Sequence, residues 1–109
     1  MRSLLAVLVL AAVGHATEPP LDARLYNERC SGCHGDQGAG DGPAAAALVP
    51  PPRNFREAAF WRGRTFEQMR TVVKKGKPGT MMPPFDGVLT DAEIDAVTHF
   101  VERFAPAAR

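Results

Sequence analysis

Residues 30–34 read Cys30-Ser31-Gly32-Cys33-His34: two thiols three positions apart, with an imidazole directly after the second. On a helical turn, positions i and i+3 share a face, so both sulfurs point the same way. The next residue then brings a ring nitrogen to the same side. Such a turn can grip one edge of a flat group and hold a metal at its centre.

This is the C-x-x-C-H pattern of c-type haem attachment, in which the thiols take the two vinyl groups and the histidine takes the iron. Competing chemistries fit less well. A thioredoxin-like pair opens a helix after a strand, where the dipole lowers the thiol pKa. Here the pair closes a helical pattern and no strand pattern precedes it. A zinc site needs four ligands, yet beyond residue 16 only His34 and His99 join the two cysteines. A disulfide between Cys30 and Cys33 would close too small a loop to staple a domain, and it leaves the adjacent His34 unexplained.

The compartment implied by the N-terminus is consistent with that chemistry. Met1-Arg2 is followed by an apolar run of ten residues, Leu4 to Val13, and then by Gly14-His15-Ala16. Residues 1–16 therefore read as a signal peptide cleaved after Ala16, with residues 17–109 as the folded domain and the periplasm as destination. Spanning a bilayer takes about 20 apolar residues, so no stable membrane insertion is expected. At 109 residues and a formal net charge of +1, the chain is one domain with no nucleic-acid-binding surface.

Beyond residue 17 the pattern is all-α, with three main helices. The first spans about Leu21 to Cys33 and carries Leu25 and Tyr26. The second begins at Thr65, where Thr65 and Gln68 make a capping box. Phe66, Met69, Val72 and Val73 mark its buried face, and Gly76 is placed to end it at positive φ. The third follows the capping box of Thr90 and Glu93, with Leu89 set to staple on Ile94. Ile94, Val97, Val101 and Phe104 form its stripe, with Phe100 beside it, and Arg103 suits its last turn. Short helical turns are expected at Ala44–Ala47 and Phe55–Trp61.

Between the first two helices, residues 35–54 hold Gly35, Gly38, Gly40, Gly42, Pro43 and Pro50-Pro51-Pro52. A loop this long without structure is unusual in a small domain unless it packs on something other than protein. Three modest helices also bury little area by themselves. Both features call for a group at the centre. The glycines are not a phosphate loop, since no strand precedes them, and Asp36 and Asp41 lack the closing Glu of a calcium loop.

A second iron ligand has four candidates: Met69, Met81, Met82 and His99. Met69 sits on a helical apolar stripe and reads as core. Met81-Met82-Pro83-Pro84-Phe85 is a loop able to cross to the far side of a haem, and Pro83 biases Met82 toward extended backbone. A stiff loop loses less entropy when its thioether binds iron. Met82 is preferred over Met81, and His99 reads as an ordinary residue of the last helix.

These motifs together resemble class I cytochrome c of the small bacterial kind, over nearly all of residues 17–109. Cys30-x-x-Cys33-His34 matches the attachment site and Met82-Pro83-Pro84-Phe85 the M-P-x-F segment of the distal ligand. The resemblance implies three main helices and short turns wrapped around one covalent haem c, with Cys30, Cys33, His34 and Met82 as cofactor residues and His34 and Met82 on the iron. It implies that the Pro43 carbonyl accepts from His34 Nδ1, that Trp61 and Arg53 lie near the haem propionates, and that Tyr26 packs on the last helix. Asp22 stands where the family often has a glycine eight residues before the first cysteine.

The function so implied is single-electron transfer between redox partner proteins, a donor and an acceptor, by a monomer that is not an enzyme. Lys74, Lys75 and Lys77 precede the methionine loop and are candidates to border the docking edge. Two other readings compete: a haem subunit of a dehydrogenase or oxidase complex, and an open-site haem protein that binds peroxide or small gases.

Overall fold

Two threonines set the start of the long helices. Thr65 Oγ1 accepts from Gln68 N at 3.1 Å while Gln68 Oε1 accepts from Thr65 N at 3.0 Å. Thr90 and Glu93 repeat this reciprocal pairing at 3.1 and 2.9 Å. Each box satisfies two backbone donors that the first turn of a helix leaves without partners. The computed structural model describes residues 3–10 and 18–107, and within them the helices are α1 (Leu21–Arg29), α2 (Ser31–His34), α3 (Ala58–Trp61), α4 (Phe66–Lys75) and α5 (Asp91–Glu102). A 3-10 turn covers Ala45–Ala47, and no strand occurs among the described residues. The mostly helical fold is the expected all-α one.

The expected processing point after Ala16 lies outside the described residues. Residues 3–10 form no regular element, and Leu4, Leu5, Leu8 and Leu10 are exposed, so this stretch contributes nothing to the core. Among the described residues no helix is long and apolar enough to cross a membrane.

The first helix differs from expectation in one place. It does not run unbroken to Cys33 but is interrupted at Cys30, with φ −121° and ψ −38°. Ser31 contributes to the break, because its hydroxyl donates to the Asn27 carbonyl at 2.8 Å. Serine competes in this way for backbone acceptors. The consequence is that Cys33 and His34 sit on a separate turn, α2, whose direction is set by its bonds to the glycine loop.

The core assembles where α1 and α4 both pack on α5. Leu25 and Tyr26 of α1, Met69 of α4, and Ile94, Val97 and Val101 of α5 are buried, together with Phe55, Phe60, Trp61, Phe85 and Leu89 from the intervening segments. Tyr26 packs on the end of the last helix as expected, its ring 5.1 Å from Phe100 and 5.2 Å from Phe104. Its hydroxyl donates to the Gly35 carbonyl at 2.6 Å, pinning the start of the glycine loop to α1. Thr98, polar and fully buried, is tolerated because its hydroxyl donates to the Ile94 carbonyl at 2.6 Å.

Candidate functional site

Below this core lies a cavity of about 320 Å³. Its wall combines loop segments with faces of α4 and α5. Cys30, Cys33 and His34 line it, as do Pro50, Pro51 and Pro52 of the long loop, Met69, Val72 and Val73 of α4, Met81 and Met82, and Val97, Thr98 and Val101 of α5. The tertiary structure thus joins the attachment motif, the proline run of the long loop and the methionine loop around one space.

The motif is held by the glycine loop. Gly40 N donates to His34 O at 2.7 Å, Gly42 N to Cys33 O at 3.0 Å, and Ala44 N to Gly32 O at 2.9 Å. These bonds cap the carbonyls of α2, which no further helical turn can satisfy. Gly42 must be glycine here, because a Cβ would collide with both the Ser31 and Gly32 carbonyl oxygens.

That arrangement corrects one expectation. The acceptor for His34 Nδ1 is not the Pro43 carbonyl but the Arg53 carbonyl, at 3.2 Å. Gly42-Pro43 runs over the backbone of α2 as its cap. The chain then passes Pro50-Pro51-Pro52 before it returns beside the imidazole. On the other side of that ring, Phe55 stacks at 4.4 Å between centroids and 18° between planes.

The electrostatics suit ligation and disfavour thiol redox chemistry. Burial pushes the Cys30 thiol up to about 12, with Cys33 adding to the shift. A dithiol oxidoreductase needs the opposite, a thiol brought down toward neutrality. Burial also lowers His34 below its ordinary value, against the opposing effect of its bond to Arg53. The imidazole is therefore neutral at pH 7, the form that binds metals. Cys30 and Cys33 are not joined in a disulfide.

Met82 and Met81 line the cavity differently. Met82 is half-buried and packs on the core, whereas Met81 is 70% exposed. The Met82 backbone is fixed at both ends: its N–H donates to Thr80 Oγ1 at 3.1 Å and its carbonyl accepts from Lys77 N at 3.3 Å. Gly76, at φ +72°, lets α4 end directly beneath this loop, since a Cβ there would lie 2.8 Å from the Met82 carbonyl oxygen. Met69 belongs to the buried core and also faces the cavity. His99 lies elsewhere, exposed on α5, where it stacks on Phe66 at 4.2 Å and its Nδ1 is 3.0 Å from Glu102 Oε1.

Several side chains of the site were not visible in the sequence. Arg64 lines the cavity with Arg53, and both guanidinium groups lie over the Phe60 ring, at 4.1 and 5.2 Å. Burial, with the charge of Arg53, lowers the Arg64 pKa. Trp61 is buried in the core rather than on the cavity wall, its indole N–H donating to the Phe55 carbonyl at 2.7 Å. Lys77 lines the cavity, but Lys74 is engaged with Asp91 at 3.1 Å. Phe55 could have been flagged by its spacing, two residues after Arg53 on a segment stiffened by three prolines.

The donor set fits a covalently held haem. Two thiols and a neutral imidazole meet at a mainly apolar cavity that a half-buried thioether also faces, and cations line it without a carboxylate. Among the described residues no cluster of three or more His, Cys, Asp or Glu side chains is arranged to hold a bare metal ion.

Comparison with known proteins agrees with this geometry. Residues 22–101 match the family described as cytochrome C oxidase, cbb3-type, subunit III. The chain is 34% identical over 100 residues to dihydro-heme d1 dehydrogenase of Pseudomonas aeruginosa, covering 91% of this chain and 18% of that protein. It is 33% identical over 73 residues to cytochrome c4 of Thiocapsa roseopersicina, covering 67% of this chain and 36% of the other. The chain thus spans only a minor part of the length of these curated relatives. Among solved structures, the KustC0563 c-type cytochrome superposes with a TM-score of 0.64 at 29% identity, covering 78% of this chain and 98% of that one. The chain belongs to the cytochrome c family, and its cofactor is covalently bound haem c with its iron.

Proposed function

We propose that this chain is an exported, mono-haem electron carrier of the periplasm, not an enzyme, passing single electrons between a donor and an acceptor protein as a monomer. Cys30 and Cys33 would form the thioether links, and His34 and Met82 would hold the iron. The observation that carries this reading is the shared cavity. The attachment motif and a backbone-anchored, half-buried methionine face the same cavity.

When bound, haem c supplies a one-electron iron couple. The chain's own residues do the rest. His34 is kept neutral and is oriented through Nδ1, a bond of the kind that supports metal-bound imidazoles. Thr80 and the Lys77 backbone hold Met82 in place. With both His34 and Met82 holding the iron, no position would remain for a substrate on it. Val97, Thr98 and Val101 close one wall against water, and a drier site favours the less charged, reduced state. Arg53 and Arg64 are placed to offset the carboxylates that haem carries. Encounters with partners would be brief and small in area, at the open side of the cavity.

A second reading is favoured by the similarity to 18% of a dehydrogenase. In it, the chain serves as the electron-carrying part of a larger assembly.

The test is a redox titration of the exported holoprotein followed by absorption. A reversible one-electron transition between two low-spin, six-coordinate spectra is expected. A high-spin, five-coordinate spectrum that changes on adding peroxide or carbon monoxide would sink the carrier reading. Purification only in fixed stoichiometry with a second protein would favour the assembly.

A further inference from the structure

We infer that Phe55, backed by Phe104, is a positioning residue that sets the orientation of the His34 imidazole plane. The inference rests on His34 as an iron ligand and extends that reading to side chains outside the ligand set.

A metal at Nε2 and a hydrogen bond at Nδ1 hold two corners of an imidazole ring. They do not by themselves stop the plane from turning about the metal–nitrogen axis. The bond from Nδ1 to the Arg53 carbonyl is 3.2 Å, at the long end of the usual range, so it tolerates some turning. The nearly parallel Phe55 ring, 4.4 Å away, does not, because rotation of the imidazole would drive its edge into that ring.

Phe55 can act as a stop only if it is itself immobile. It is buried, and its backbone N–H donates to the Gly38 carbonyl at 2.7 Å. Two further rings flank it: Phe60, tilted at 5.1 Å, and Phe104, 6.5 Å away and within 9° of parallel. Phe104 in turn rests against Tyr26 and against Gly38, where a Cβ would lie 2.6 Å from the Phe104 ring. Phe55 is thus nearly parallel both to the imidazole and to Phe104, just past α5. The segment that supplies the hydrogen-bond acceptor, Arg53, also supplies the stacking ring two residues later.

Imidazole orientation matters because π overlap between the ring and the iron d orbitals is directional. Its plane decides how unpaired spin is distributed over the haem in the ferric state. The test compares ferric holoproteins of wild type, Phe55→Leu, Phe55→Tyr and Phe104→Leu by the haem-methyl resonances in proton NMR. Phe55→Leu is expected to keep the low-spin spectrum and the Met–iron near-infrared band while shifting and broadening the methyl resonances. Phe55→Tyr should restore the wild-type pattern. Phe104→Leu, which leaves the ring against His34 in place, should shift the same resonances less and in the same direction.

Wild-type resonances in Phe55→Leu would overturn the inference and leave His34 as ligand. Loss of the near-infrared band in that variant would overturn it too, by showing that Phe55 supports the whole site. If Phe55→Leu does not accumulate, Phe104→Leu decides: unmoved resonances overturn the inference. Retention of low-spin, His-ligated iron in His34→Ala would remove the ligand reading itself.

Discussion

The two adjacent methionines show how much one residue's surroundings decide. Met81 and Met82 share a chemistry and a loop, yet only Met82 combines a half-buried side chain with a backbone held at both N–H and C=O. A thioether is a weak ligand, so a backbone already in place matters more for it than for a strong one. Met82→Ala is therefore expected to abolish the Met–iron near-infrared band and to lower the reduction potential, and Met81→Ala to leave both nearly unchanged. Retention of the band in Met82→Ala would reassign the ligand. Tyr26 shows the same dependence from within the core: desolvation raises its pKa, so the hydroxyl stays protonated and remains a donor to Gly35.

At the scale of elements, α4 and α5 are joined by charge across their exposed edges. Lys74 pairs with Asp91 at 3.1 Å, and Arg70 reaches both Asp91 and Asp95. The hydrogen bond from Lys74, then its charge, holds the Asp91 carboxyl below the usual carboxylate range. A group depressed in the folded state adds stability above its unfolded pKa, near 3.9 for aspartate. That contribution fades as pH falls below about 4 toward the folded value. Asp91→Asn should accordingly lower Tm at pH 6–7, modestly because the pair is exposed. Its melting temperature should converge with that of wild type in acid. A Tm difference that stays constant from pH 7 to pH 2 would contradict this linkage.

For the whole molecule, the cavity is the dominant fact. Helices α1, α4 and α5 meet along one side of a space of about 320 Å³, and most of the other walls are loop. Pro50, Pro51 and Pro52 have no backbone N–H with which to fix their path. Haem held in the cavity would supply an apolar surface for them to pack on, and a group that binds only the folded state stabilises it. A Cys30→Ser/Cys33→Ser chain, unable to attach haem covalently, is expected to lose the cooperative thermal transition of the holoprotein by circular dichroism. A transition of equal sharpness and temperature in that variant would show that protein packing alone supports the fold.

What the sequence determined by itself was local. The C-x-x-C-H spacing, the capping boxes at Thr65 and Thr90, the apolar stripe of α5 and the methionine–proline pair all depend on residues within a few positions of each other. Helical periodicity and backbone sterics make such patterns readable without a fold. Only the tertiary structure decided that the His34 acceptor is Arg53, nineteen residues away, rather than Pro43. It also decided that Met82 turns toward the core more than Met81, that His99 faces away from the cavity, and that Phe55 and Arg64 belong to the site. Each of these depends on the path of a loop with no period, which is set by packing against distant elements rather than by its own residues.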